Sequence, residues 1–149
     1  MSAIHIECDY PYRPALVWRA VTDPELIPRW TATGAGARPE GFHLEIGNRF
    51  RFVAKPMPGW NGIVNCTVLD IEPEHRLRYS WQDDAGGDIT DVTYLLEPHE
   101  RGTRFVYDHT GFTGVGGMIM ARLLGRVRRT MLTTGLPPVL AALAAAPNP

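Results

Sequence analysis

The sequence predicts an α+β domain in which a curved antiparallel sheet of about seven strands surrounds a long C-terminal helix, with two short helices after the first strand. Two patterns carry the prediction. From Phe42 to Thr110 apolar and polar residues alternate in short runs, divided by turn strings brief enough to make each neighbour antiparallel; from Gly116 onward the period lengthens to that of a helix. An open, strongly curved sheet cannot close on itself as a sandwich does, so the one long helix has to cover its concave face, leaving room for a cavity between the two.

Taken in order, Ile4, Ile6 and Cys8 alternate with His5, Glu7 and Asp9, the period of a half-buried strand. Beyond Pro11 and Pro14, the residues Leu16, Val17, Ala20 and Val21 share one helical face. Thr22-Asp23-Pro24-Glu25 then offers a cap, a first-turn proline and a capping-box glutamate for a second short helix that buries Leu26, Ile27 and Trp30. The loose segment TATGAGARPEG leads to a hairpin expected from Phe42, Leu44 and Ile46, through Gly47-Asn48, to Phe50 and Phe52. After the turn-rich AKPMPGWNG, strands are expected at Ile63 to Glu72, Arg76 to Gln82, Ile89 to Glu97 and Thr103 to Thr110, joined by PEH, DDAGG and PHERG. In the last helix Met120, Leu123, Leu124, Val127 and Met131 share a face opposite Arg122, Arg126 and Arg129. Pro137-Pro138 should break or kink that helix, with a further segment restarting near Val139.

The 149 residues suit one domain with a core of its own, and a formal net charge of -1 gives no overall attraction for nucleic acid or an anionic membrane. Cys8 and Cys66 stand far apart and in no metal-ligand spacing, which fits reduced thiols in a cytoplasm. No charged leader opens the chain and the apolar stretch LPPVLAALAAA is too short to span a bilayer, so a soluble cytoplasmic protein is expected.

Four strings, in order, resemble the START-like superfamily (SRPBCC, the helix-grip, Bet v-like fold), in the branch named for the C-terminal domain of the activator of heat-shock protein ninety ATPase. PALVWRAVTDPELIPRW (Pro14 to Trp30) is similar to that family's helix pair and IGNRFRF (Ile46 to Phe52) to its glycine-containing hairpin. VLDIEPEHRLRYSW (Val68 to Trp81) is similar to its turn into a tryptophan-ended strand, and VTYLLEPHERGTRFVYDHTGF (Val92 to Phe112) to its last strand pair. The chain departs from the family near its end, where TGLPPVL replaces the glycine-tryptophan that usually opens the last helical turns. The resemblance implies the fold directly. For function it implies a choice among ligand-binding proteins, polyketide cyclases, self-resistance proteins and co-chaperones.

The string VYDHTGFTGVGGM holds the features that most resemble a site. If residues 103 to 110 form a strand, Phe105, Tyr107 and His109 face one side and Asp108 the other, so Asp108 and His109 cannot act as a dyad. His109 is then either a satisfied structural histidine at the corner between strand and helix, or a polar anchor or general base for a ligand. The glycines fail as a nucleotide fingerprint, because Ile119 stands where a third glycine belongs and no βαβ unit surrounds them. They read as a plain loop or a mobile gate before the long helix. The five histidines are scattered without HxH, HExxH or CxxC spacing, so no metal and no cofactor is expected. The arginine stripe, with Arg128 beside it, reads as a solvated face or a surface for an acidic partner.

Alternation also aligns Leu77, Tyr79 and Trp81, then Val92, Tyr94 and Leu96, then Phe105, Tyr107 and His109. A surface that mixes rings with hydroxyls is either an aromatic-rich filled core or the wall of a pocket for a ring-bearing ligand. The expected function is binding of a hydrophobic, aromatic or polycyclic small molecule. Tyr79, Trp81, Tyr94, Tyr107 and His109 would orient it; Phe50, Phe52, Met120 and Leu123 would give apolar contact, and Trp30 and Trp60 would complete the wall. The alternatives are a polyketide cyclase or dehydratase with His109 as base and a tyrosine as acid, and a chaperone-interacting protein. No nucleic acid or membrane partner is expected, and a homodimer is left open.

Overall fold

The computed structural model describes residues 2–31 and 36–146, so part of the loose segment after the second helix lies outside the described residues. In them, β1 (Ser2–Tyr10), β2 (Arg38–Glu40), β3 (Arg49–Val53), β4 (Ile63–Glu72), β5 (Arg76–Asp83), β6 (Thr90–His99) and β7 (Gly102–Phe112) form one antiparallel sheet. Its order is β1-β7-β6-β5-β4-β3-β2. Helices α1 (Pro14–Thr22) and α2 (Ile27–Thr31) follow β1. The chain then ends in α3 (Gly114–Thr130), a π-turn over Met131–Gly135, and α4 (Leu136–Ala145). The α+β prediction of a sheet gripping a C-terminal helix holds.

The concave face is set by the alternation read from the sequence. Val64, Cys66 and Val68 of β4, Leu77 and Tyr79 of β5, Val92, Tyr94 and Leu96 of β6, and Phe105, Tyr107 and His109 of β7 are all buried. Burying a side chain such as Phe105 or Leu77 contributes about 1.5–3 kcal/mol each. Two bulges modify the pattern. One sets Leu69 outside the β4–β5 ladder; the other, at Gly111 with φ 104°, lets Phe112 turn back to the concave side beside His109, where strict alternation would point it outward.

The hairpin expected over Phe42 to Phe52 is corrected. The partner of β3 is β2, with Arg38 opposite Val53 and Glu40 opposite Arg51, while residues 42–48 form a loop that leaves Leu44 and Ile46 exposed. The Asn48 side chain explains it: its Oδ1 accepts from the His43 backbone N–H and its Nδ2 donates to the Gly41 carbonyl, bonds that replace a strand ladder. The capping box is corrected as well. Thr22 closes α1 by donating to the Trp18 carbonyl, and Asp23 accepts from the Glu25 backbone N–H in the turn before α2.

The two prolines do not break the C-terminal rod. A proline inside an α-helix removes a donor and clashes one turn back; here the backbone widens first, with Leu136 N–H bonding the Met131 carbonyl across five residues. The Leu132 carbonyl would then need Pro137 as its donor and cannot have it. Tyr10 supplies the bond instead, its hydroxyl donating to Leu132 O at 2.6 Å. Beyond this point α4 packs on α1 and α2, closing one end of the sheet around Val17, Val21, Leu136 and Leu140.

Candidate functional site

The other end of the sheet is covered differently. Helix α3 lies along β1, touching β7 as well, and does not form a comparable contact with β3, β4 or β5. Small residues allow that approach: Ala121 is buried, and a Cβ on Gly125 would stand 3.8 Å from Ile4. Leu124 and Val127, on the flank of this row, pack against the core. Met120 and Leu123, one turn before each of these, do not; they are 45% and 54% exposed. On the sheet, Phe52 and Trp81 are only partly buried although their strand positions face inward, and Trp60 joins them, its Nε1 donating to Asp83 at 2.7 Å. Large apolar side chains of both the sheet's inward face and α3 are thus left incompletely covered.

The polar groups lie deeper. Tyr79 and Tyr94 share a hydrogen bond at 2.9 Å, and the Tyr94 and Tyr107 rings lie 5.8 Å apart. Burial raises the pKa of all three phenols, so they are neutral hydroxyls. His109 has no exposed surface; its ring meets Trp81 at 5.2 Å and Phe112 at 4.6 Å. Its Nε2 lies 2.7 Å from the Thr90 hydroxyl, which donates to the Trp81 carbonyl. With that proton committed, His109 must donate from Nε2, and Nδ1 is left as a buried acceptor without a protein partner. Burial first, and the Arg128 charge second, lower the His109 pKa to about 3. The imidazole is neutral across the physiological range.

Arg128 was expected on or beside the solvated arginine face, and this is corrected. It follows Ala121 and Gly125 on the sheet-facing row, and its Nε donates to the Tyr107 oxygen at 3.0 Å while Nη1 reaches the Met131 sulfur at 3.6 Å. Arg122, Arg126 and Arg129 are exposed as expected. The signal was present in the sequence: small residues four apart mark the row of closest approach, and Arg128 is the next position on it.

Of the residues expected at the site, Phe50, Tyr79, Tyr94, Tyr107 and His109 are buried on the concave face, with Phe52 and Trp81 half-buried beside them. Met120 and Leu123 are corrected to residues of an open rim, because α3 leans on the β1 edge. Trp30 is buried under the helix pair, where its Nε1 donates to the Ala20 carbonyl at 3.0 Å. Asp108 faces away from His109 and binds His5 Nδ1 at 2.5 Å on the outer side. The glycines begin α3 at Gly114, and Thr113 before it is tied to Asp88 through both its backbone N–H and its hydroxyl. Among the described residues no cluster of His, Cys, Asp and Glu could hold a metal ion, and no helix is long and apolar enough to cross a membrane.

Comparison with known proteins places this arrangement. The family model described as Activator of Hsp90 ATPase homolog 1-like protein matches residues 11–126. No curated protein matches the chain in sequence. Among solved structures, protein MLL2253 from Mesorhizobium loti is 26% identical with a TM-score of 0.75, the match covering 96% of each chain. CalU16 from Micromonospora echinospora is 22% identical over 95% of this chain and 82% of its own, with a TM-score of 0.63. DynU16, from the dynemicin biosynthetic locus, is 22% identical with a TM-score of 0.67; the match covers 92% of this chain and 49% of that one.

Proposed function

The chain belongs to the family of Activator of Hsp90 ATPase homolog 1-like proteins, in the START-like superfamily, and from that premise we propose that it binds a hydrophobic, aromatic or polycyclic small molecule between the sheet and α3. One observation carries the reading. Phe52 and Trp81, on the inward face of the sheet, and Met120 and Leu123, on the side of α3 turned away from the row that rests on β1, are four large apolar side chains left incompletely covered. Apolar surface left uncovered on both walls of a cleft gains free energy from an apolar occupant, at roughly 25 cal/mol per Å². The aromatic rings of Trp81 and Phe52 favour a flat, ring-bearing partner, and the hydroxyls deeper in give it orientation.

Binding is favoured over a cyclase with His109 as its base. A general base works best with a pKa near the operating pH, and an imidazole lowered to about 3 offers a hydrogen-bond acceptor and little driving force for taking a proton. The likeness to DynU16, from a biosynthetic locus, is in keeping with a small-molecule role.

A thermal-shift screen against aromatic metabolites tests the proposal. At a hundredfold excess over Kd a ligand stabilises by about 2.7 kcal/mol, and the shift should vanish in Trp81→Ala while that variant stays folded. If no aromatic compound shifts the wild-type protein, the proposal fails.

A further inference from the structure

Arg128 is unlike every other paired arginine of the molecule. Arg38 and Arg51 pair with Glu40, Arg76 with Asp70 and Glu72, Arg78 with Asp91, and Arg104 with Asp9, all on the outer surface. Arg128 turns inward onto Tyr107, and among the described residues no carboxylate lies within ion-pair distance of it. Only two of its donor atoms are engaged, one by a phenol oxygen and one by a thioether, a weak acceptor. Among the described residues its Nη2 has no partner, and it is not among the buried unpartnered atoms, so it reaches accessible space. Tyr107 receives the Arg128 Nε–H on its oxygen and so keeps its own proton to give.

Resting on the binding function above, the geometry points to a ligand with a carboxylate on its aromatic body, held by Arg128 Nη2 and the Tyr107 hydroxyl together. An inward guanidinium without a counter-charge is a standing electrostatic deficit, and a planar two-oxygen anion matches a fork of two neighbouring donors. Among the described side chains near the cleft, nothing of the protein's own supplies that anion. The group would sit at the inner end, with the rings of the ligand lying outward against Trp81 and Phe52.

The test uses N-phenyl-1-naphthylamine, an uncharged fluorescent aromatic, as reporter on the whole protein, displaced by 1-naphthoate or by 1-naphthalenemethanol. The two competitors share a ring system and differ in the anion. Naphthoate should displace the reporter at a concentration at least tenfold lower than the alcohol; in Arg128→Met the two should become equal within about twofold. Arg126→Met, on the exposed face, should keep the wild-type preference. Tyr107→Phe should reduce the preference three- to tenfold, and it keeps the question open to decision should Arg128→Met fail to fold. Equal displacement in the wild type, or a preference that survives in folded Arg128→Met, overturns this inference and leaves the binding function standing. Failure of the reporter and of both competitors to bind the wild type overturns both.

Discussion

Thr90 and His109 are joined by a 2.7 Å hydrogen bond between β6 and β7, and its direction fixes the state of the imidazole. Because the Thr90 hydroxyl gives its proton to the Trp81 carbonyl, His109 is the Nε2–H tautomer with Nδ1 bare. Its folded pKa of about 3 lies below the unfolded value of about 6.5. Between these values the unfolded chain binds the extra proton, so stability rises with pH through that window, is complete above about 6.5, and is lost toward pH 3 at a cost on the order of a few kcal/mol. His109→Phe should flatten this part of the stability profile, measured by urea melts from pH 4 to 8. An equally steep profile in the variant would assign the dependence to other groups.

Tyr10 tests the account of the widened turn. Tyr10→Phe removes the one donor, among the described residues, to a carbonyl that Pro137 has left without its helical partner, and an unsatisfied buried carbonyl costs about 1–3 kcal/mol. Chemical denaturation should show a loss in that range. A neutral substitution would mean that the Leu132 carbonyl finds water.

The glycines separate by what a methyl group would meet. At Gly102 a Cβ would stand 2.1 Å from the Tyr10 carbonyl oxygen, which is backbone and cannot move aside; Gly102→Ala should destabilise by about 3 kcal/mol or more. At Gly116 it would meet nothing within 4 Å, and no left-handed φ is required. Gly116→Ala should therefore stabilise by about 0.5–1 kcal/mol through helix propensity. Thermal melts of the two variants should move in opposite directions.

Leu123 separates stability from function. A side chain 54% exposed contributes little to folding, so Leu123→Glu should change stability by no more than about 0.5 kcal/mol. In the proposed site it should weaken binding of N-phenyl-1-naphthylamine at least fivefold, because a carboxylate replaces apolar wall. Unchanged fluorescence titrations would remove Leu123 from the cleft.

The Tyr79–Tyr94 pair should show coupling. Either single change to Phe leaves a buried hydroxyl facing a ring, whereas the double variant removes both polar groups. The double variant should be more stable than the sum of the single losses by about 1 kcal/mol. Strict additivity in a denaturation cycle would show that the two hydroxyls do not depend on one another.

The parts of the fold legible in the sequence are those where one face is buried and the other wet. Alternation placed β4 within its observed bounds and β5, β6 and β7 within two residues, and it put Tyr79, Tyr94, Tyr107 and His109 on one face. What stayed hidden was decided by side chains answering backbone groups: Asn48 holding a loop where a strand was expected, and Tyr10 serving a carbonyl 122 residues away. Arg128 was misplaced because a charged residue at the margin of an apolar stripe is ordinarily solvated. Only the tertiary path of α3 along β1, permitted by Ala121 and Gly125, turns that margin inward.

The π-turn at Met131–Gly135 adds a residue to the helical phase, a rotation of about 100°, so the two halves of the rod obey separate sequence rules. In the proposed binding site, substitutions upstream, from Met118 to Val127, would change what is admitted while α4 stays locked to α1 and α2. A lineage could thus exchange one guest for another by drift in a few helical turns, with the foundation of the domain unchanged.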